Sequence, residues 1–154
     1  MEALETNNLD PNFKFEVASR PGGENIKACF SCGTCTATCP VSQIDAEFNP
    51  RKIIRQVLLG LRKEVLSDPV LWRCVQCYGC YAKCPQDVKF TEVLAALREM
   101  AVQEGHFPAS LLKDAQELGD FAQEIRRDLV NILVKDPEKF RQLKAKLCAC
   151  LDKK

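Results

Sequence analysis

At 154 residues the chain is long enough for one domain, or for a small domain with a helical appendage. A formal charge of +1, with acids and bases interleaved, gives none of the basic excess that nucleic-acid binding requires. No apolar run approaches the ~20 residues that cross a bilayer, and Met1-Glu2-Ala3-Leu4-Glu5 lacks the basic start and apolar core of a secretion signal; a soluble, cytoplasmic protein is expected.

Residues 1–24 read as an N-terminal arm. Its first twelve residues are polar, with Asn7, Asn8, Asp10 and Pro11 breaking any helix. Phe13-Lys14-Phe15-Glu16-Val17 alternates apolar and polar, a short strand signal. Ser19-Arg20-Pro21-Gly22-Gly23 then makes a turn.

Residues 25–105 carry the dominant pattern, which occurs twice. Cys29, Cys32, Cys35 and Cys39-Pro40 form the first copy, and Cys74, Cys77, Cys80 and Cys84-Pro85 the second. Both read C-x2-C-x2-C-x3-C-P. Between them Asn49 caps and Pro50 opens a helix with Ile53, Ile54, Val57, Leu58 and Leu61 on one face. Arg51, Lys52, Arg55, Arg62 and Lys63 fall mostly on the other. Asp68-Pro69 repeats the cap-then-proline signature and leads through Trp72 into Cys74. After the second copy, Thr91 is expected to cap a helix bearing Val93, Leu94, Leu97, Met100 and Ala101, which Gly105 ends. His106, the single histidine, is assigned to the surface or to packing.

Residues 106–154 read as a helical extension. Leu111, Leu112, Ala115 and Leu118 predict a short helix, and Phe121, Ile125, Leu129, Ile132 and Leu133 a longer one. Asp136-Pro137 starts the last helix, with Phe140, Leu143 and Leu147 spaced for burial. These stripes suit either a core or a docking face.

The cysteine spacing points to metal clusters. Eight of the ten cysteines fall into identical quartets, whereas disulfide frameworks scatter theirs and need an oxidising compartment. Structural zinc favours two pairs of cysteines separated by a longer insert, not three at even x2 spacing. The quartet is the spacing of two-cluster ferredoxins, in which the fourth cysteine of each copy ligates the other cluster. Two [4Fe–4S] clusters are therefore expected. Cys29, Cys32, Cys35 and Cys84 would hold cluster 1; Cys74, Cys77, Cys80 and Cys39 would hold cluster 2. Pro40 and Pro85 stop the local backbone from continuing as a helix, and Gly33 and Gly79 let main chain approach inorganic sulfur. Cys148 and Cys150 read as free thiols.

A capped helical linker between the quartets, and helices after them, resemble the α-helical ferredoxin domains of succinate dehydrogenase iron–sulfur subunits and related proteins. Within that group Cys32-Gly33-Thr34-Cys35-Thr36-Ala37-Thr38-Cys39-Pro40-Val41, Asn49-Pro50-Arg51 and Trp72-Arg73-Cys74 resemble the C-type subunit of heterodisulfide reductase, over roughly residues 27–100. The resemblance implies a mainly α fold and a non-catalytic iron–sulfur subunit of an oxidoreductase complex. It would relay electrons from a flavin-containing A-type subunit to a cysteine-rich B-type subunit that reduces a disulfide. No G-x-G-x-x-G flavin fingerprint occurs in this chain. Alternatives are a free ferredoxin-type carrier and an iron–sulfur subunit of a lactate, glycolate or succinate dehydrogenase. The succinate version is disfavoured because 28 residues before Cys29 leave no room for a plant-type [2Fe–2S] domain. A regulatory cluster protein finds no helix–turn–helix wording or basic stripe to support it.

Overall fold

The computed structural model describes residues 9–151. The first eight residues of the expected arm lie outside them. Nine α-helices and no strand occur among the described residues: α1 (Phe13–Ser19), α2 (Thr34–Ala37), α3 (Pro40–Ile44), α4 (Pro50–Leu59), α5 (Arg62–Leu66), α6 (Gly79–Lys83), α7 (Phe90–Gln103), α8 (Ser110–Lys135) and α9 (Pro137–Leu151). Short 3-10 turns, Ile26–Ala28 and Pro69–Arg73, lead into Cys29 and Cys74. The mainly α, helical-ferredoxin expectation holds. The chain divides into two compact units, Met1–Lys113 and Asp114–Lys154.

The core of the first unit is built from one face of each of its longer helices. On α4, Ile53, Ile54 and Val57 are buried while Arg51, Lys52 and Arg55 are exposed. Asn49 caps this helix through its side-chain oxygen, which accepts from the Lys52 amide at 3.0 Å. Gly60 ends it in the left-handed region at φ 84°, and the Asp10 amide donates to the Gly60 carbonyl at 2.8 Å. On α7, Val93, Leu94, Leu97, Met100 and Ala101 are buried as their spacing predicts. Each of the larger aliphatic side chains contributes roughly 1.5–3 kcal/mol by leaving water.

Three local expectations are corrected. Phe13–Val17 is helical, not a strand. Asp10 accepts from the Asn12 amide at 2.9 Å to start the turn, and Phe13 and Val17, four apart on one face, are both fully buried. Thr91 does not cap α7. Lys89, at φ 54°, is the cap, and Thr91 lies inside the helix, buried. Pro40 opens α3 as its first residue, so it starts a helix where a stop was expected. The turn at Asp68-Pro69 forms as expected, with the Asp68 carboxylate accepting from the Val70 amide at 2.9 Å.

Leu111 to Leu133, expected as two helices, belong to the single 26-residue helix α8, which supplies the start of the second unit; Gly119 does not interrupt it. No described residue of this unit is buried. Ile125, Leu129, Leu133 and Phe140 line an open apolar recess there.

Candidate cluster-binding site

The two cysteine loops are built alike. Each starts from a 3-10 turn, enters on an extended cysteine (Cys29 at φ −66°, ψ 117°; Cys74 at φ −69°, ψ 127°), and ends in a helix of one turn, α2 or α6. Within each loop two residues take the left-handed region. Ser31 and Gly33 do so in the first, at φ 60° and 85°, and Gln76 and Tyr78 in the second, at φ 51° and 57°. A single reversal would carry the chain away. Two in succession curl it so that three cysteines turn inward. Glycine adopts that region freely, but serine, glutamine and tyrosine are strained there, as main chain around functional sites often is. Gly79 has ordinary backbone, and a Cβ on it would sit at 3.6 Å from the Thr38 carbonyl, a normal contact. The left-handed turn that Gly33 makes in the first loop is made by Tyr78 in the second.

The fourth cysteines come from outside the curls. Cys39 caps α3 and Cys84 follows α6, both extended, with ψ of 119° and 118°. α2 and α6 pack against each other. α2 is also tied to the start of α4: the Thr36 hydroxyl donates to Asn49 Oδ1 at 2.9 Å and accepts from the Arg51 amide at 3.1 Å. Arg73 bridges Asp45 at 2.8 Å and Glu47 at 2.7 Å, which fixes the entry to Cys74.

Around these loops lie two apolar recesses. The first is lined by Cys29, Cys32, Cys35 and Cys84, with Ile54 and Val88 behind them. The second is lined by Cys39, Cys74, Cys77 and Cys80, with Val41 and Phe48 behind. Cys80 and Phe90 line both. All eight cysteines of the sequence pattern therefore reach a recess, five the first and four the second, with Cys80 facing both. Cys148 and Cys150 are exposed at the far end of α9. Among the described residues no three Cys, His, Asp or Glu side chains converge as tightly as a single metal ion needs. Four thiols around an apolar recess fit the larger four-iron cluster, whose ligands are cysteine thiolates.

Each recess has at least one hydroxyl and one amide on its sulfurs. In the first, the Thr34 hydroxyl lies 3.3 Å from Cys32 Sγ, and the Val88 amide donates to Cys84 Sγ at 3.4 Å. In the second, the Thr91 hydroxyl lies 3.2 Å from Cys80 Sγ, and the Gln76 amide donates to Cys74 Sγ at 3.4 Å. Such donors stabilise thiolate and tune a bound cluster. The hydrogen bond from Thr34 holds the exposed Cys32 thiol below the usual range. Burial pushes the Cys35 thiol up, and it does the same to Cys74 against the Gln76 amide and the Arg98 charge. Ligation replaces the proton in either case.

Sequence reasoning missed Arg98 and Thr91. Both sit on the apolar face of α7, where a cation or hydroxyl ordinarily has no partner, so only the second cysteine loop explains them. The signal available was Arg98 itself, one residue after Leu97 and two before Met100, a charge inside the stripe.

The comparisons with known proteins bear on the same stretch. Residues 25–88 match the 4Fe-4S dicluster domain. The chain is 46% identical over 92 residues to the iron–sulfur C2 subunit of the CoB–CoM heterodisulfide reductase of Methanocaldococcus jannaschii, covering 60% of this chain and 48% of that protein. It is 41% identical over 110 residues to the C2 subunit of the H2/formate:CoB–CoM heterodisulfide,ferredoxin reductase of Methanococcus maripaludis, covering 69% and 59%. To the C-type subunit of the H2:CoB–CoM heterodisulfide,ferredoxin reductase of Methanothermobacter thermautotrophicus the identity is 39% over 98 residues, covering 64% and 52%. The chain spans about half the length of the curated relatives it matches. The resemblance to the C-type subunits of heterodisulfide reductases is thus shown, and the dicluster segment fits an electron-transfer role held by four-iron clusters. Among the described residues no helix is long and apolar enough to cross a membrane.

Proposed function

We propose that this chain is the C-type iron–sulfur subunit of a heterodisulfide-reductase-type complex and holds two [4Fe–4S] clusters by crossed ligation. Cys29, Cys32, Cys35 and Cys84 hold the first, and Cys74, Cys77, Cys80 and Cys39 the second. The observation that carries this reading is the exchange of fourth cysteines: Cys84 lines the recess of the first loop and Cys39 that of the second. When bound, the clusters supply one-electron carriers. The chain's own residues hold the thiolates in place, donate hydrogen bonds to sulfur and keep water out. The recesses share a wall at Cys80 and Phe90, which sets the two sites side by side. Cys32 and Cys77 are exposed, one at each recess, so each site has an edge that a partner reaches.

In this reading electrons pass from a flavin-containing A-type subunit to a disulfide-reducing, cysteine-rich B-type subunit, and residues 106–154 form the docking region. The relatives' names support membership of such a complex, and the exposed apolar residues of the second unit support docking; Leu118, Phe121 and Val134 are 65%, 57% and 77% exposed. The test is to isolate the tagged chain anaerobically from its own cells. Larger flavin- and cysteine-rich subunits should accompany it. A lone chain that reduces many unrelated acceptors would overturn the assignment in favour of a free carrier.

A further inference from the structure

Both recesses have hydroxyl and amide groups on their sulfurs. They differ in the charge behind them. Arg98 enters from α7 and is only 7% exposed. Its Nε donates to the Leu71 carbonyl at 2.8 Å and its Nη2 to the Cys74 carbonyl at 3.5 Å, while its guanidinium lies 5.4 Å from the Trp72 ring centroid. Trp72 is itself held edge-on against Phe107, with centroids 5.5 Å apart. No carboxylate pairs with Arg98 among the ion pairs of the described residues. A buried cation without a counter-ion is costly and persists where something compensates it. What its guanidinium reaches is the entry to the second cysteine loop, through the Leu71 and Cys74 carbonyls.

The first recess has a basic neighbour as well. Arg51 lines it, but Arg51 is exposed and therefore screened by water and salt. A charge in the interior acts through a lower effective dielectric, so Arg98 dominates.

We propose that Arg98 is the built-in counter-charge of the second cluster and sets its reduction potential above the value that its buried thiolates alone would give. A four-thiolate cluster is anionic, and reduction adds one more negative charge while the electron is drawn from an external donor. A fixed neighbouring cation favours the reduced form and raises the potential. This rests on the two-cluster reading above. It makes Arg98 a positioning and tuning residue, since it acts through Cys74 and not by ligation.

The test is a dithionite redox titration of the reconstituted full chain, followed by electron paramagnetic resonance. Wild type, Arg98→Met, Arg98→Gln and Arg98→Lys are compared, with iron content measured for each. The neutral variants should lower the potential of one cluster and leave the other unchanged, and the shift should persist at high salt. Lysine should restore most of it. Equal potentials in all four proteins, equal shifts in both clusters, or a lysine variant that behaves as methionine would overturn the proposal. If the neutral variants lose one cluster while lysine keeps both, the need for the charge is supported directly. Loss of both clusters in all three variants would make Arg98 a folding residue and refute the tuning role. A wild-type chain with fewer than two clusters would instead refute the reading on which the proposal rests, and iron content separates that case.

Discussion

At the scale of single residues, the proposed crossed exchange of Cys39 and Cys84 would do two jobs. It would complete each ligand set, and it would tie loops 45 residues apart in sequence (Cys29 to Cys74) into one unit. Cys84→Ala is therefore expected to impair the cluster of the first loop and spare the other. Cys39→Ala should do the reverse. Cluster-resolved spectroscopy of the two variants checks this, and the opposite pairing would remove the exchange. The eight candidate ligands were legible because thiolates at x2 spacing have few other uses. Thr91 and Arg98 were not, because their roles come from packing. Thr91 sits where a Thr-Glu pair predicts a helix cap, yet its hydroxyl meets Cys80, eleven residues earlier, and the cap falls to Lys89.

At the scale of elements, the arm of the first unit is held by backbone and charge. Gly60 lies at φ 84°, and a Cβ there would stand 2.4 Å from the Asp10 carbonyl oxygen. Gly60→Ala should destabilise the first unit by at least about 1–3 kcal/mol, from the left-handed strain alone, with the contact added to it. Thermal unfolding measures this, and an unchanged midpoint would contradict the close approach.

Arg62 supplies the charge. It bridges Asp10 at 3.0 Å, Glu16 at 2.7 Å and Glu104, joining the arm, α5 and the end of α7. The Arg62 guanidinium holds the Glu16 carboxyl below the usual range, against the opposing effect of burial. A lowered folded value gives stability that is present above the unfolded value and lost as pH falls through the folded one. The Glu16 contribution should thus be full at neutral pH and fade below roughly pH 4.3. Glu16→Gln should unfold at lower temperature than wild type at pH 7, and the gap should close in acid. A gap constant with pH would rule out the ion pair as its cause. The effect is small, because both side chains are partly in water. The strand expected at Phe13–Val17 failed for a related reason. Two-residue alternation over five residues fits a helix face equally well at Phe13 and Val17, and the burial of both decided it.

At the scale of the whole molecule, the two units differ in what stabilises them. The first has the core and both recesses, and the second has amphipathic helices with no buried residue among those described. The helical extension was legible from its apolar periodicity, but its division was not: two apolar faces suggested two helices, whereas Gly119 between them lies inside one long helix, which tolerates it at a cost of about 1 kcal/mol. A chain ending at Lys113 is expected to bind as much iron as the full chain and to lose its larger partners in anaerobic co-purification. Lost iron would place the second unit in the cluster site; retained partners would place docking on the first.

The most direct measurement is the iron and acid-labile sulfide content of the anaerobically isolated full chain, read together with its spectrum after one-electron reduction. The account predicts about eight irons and eight sulfides per chain, from two four-iron clusters, and magnetic coupling between adjacent reduced clusters. About four irons, or a colourless protein carrying zinc, would contradict it.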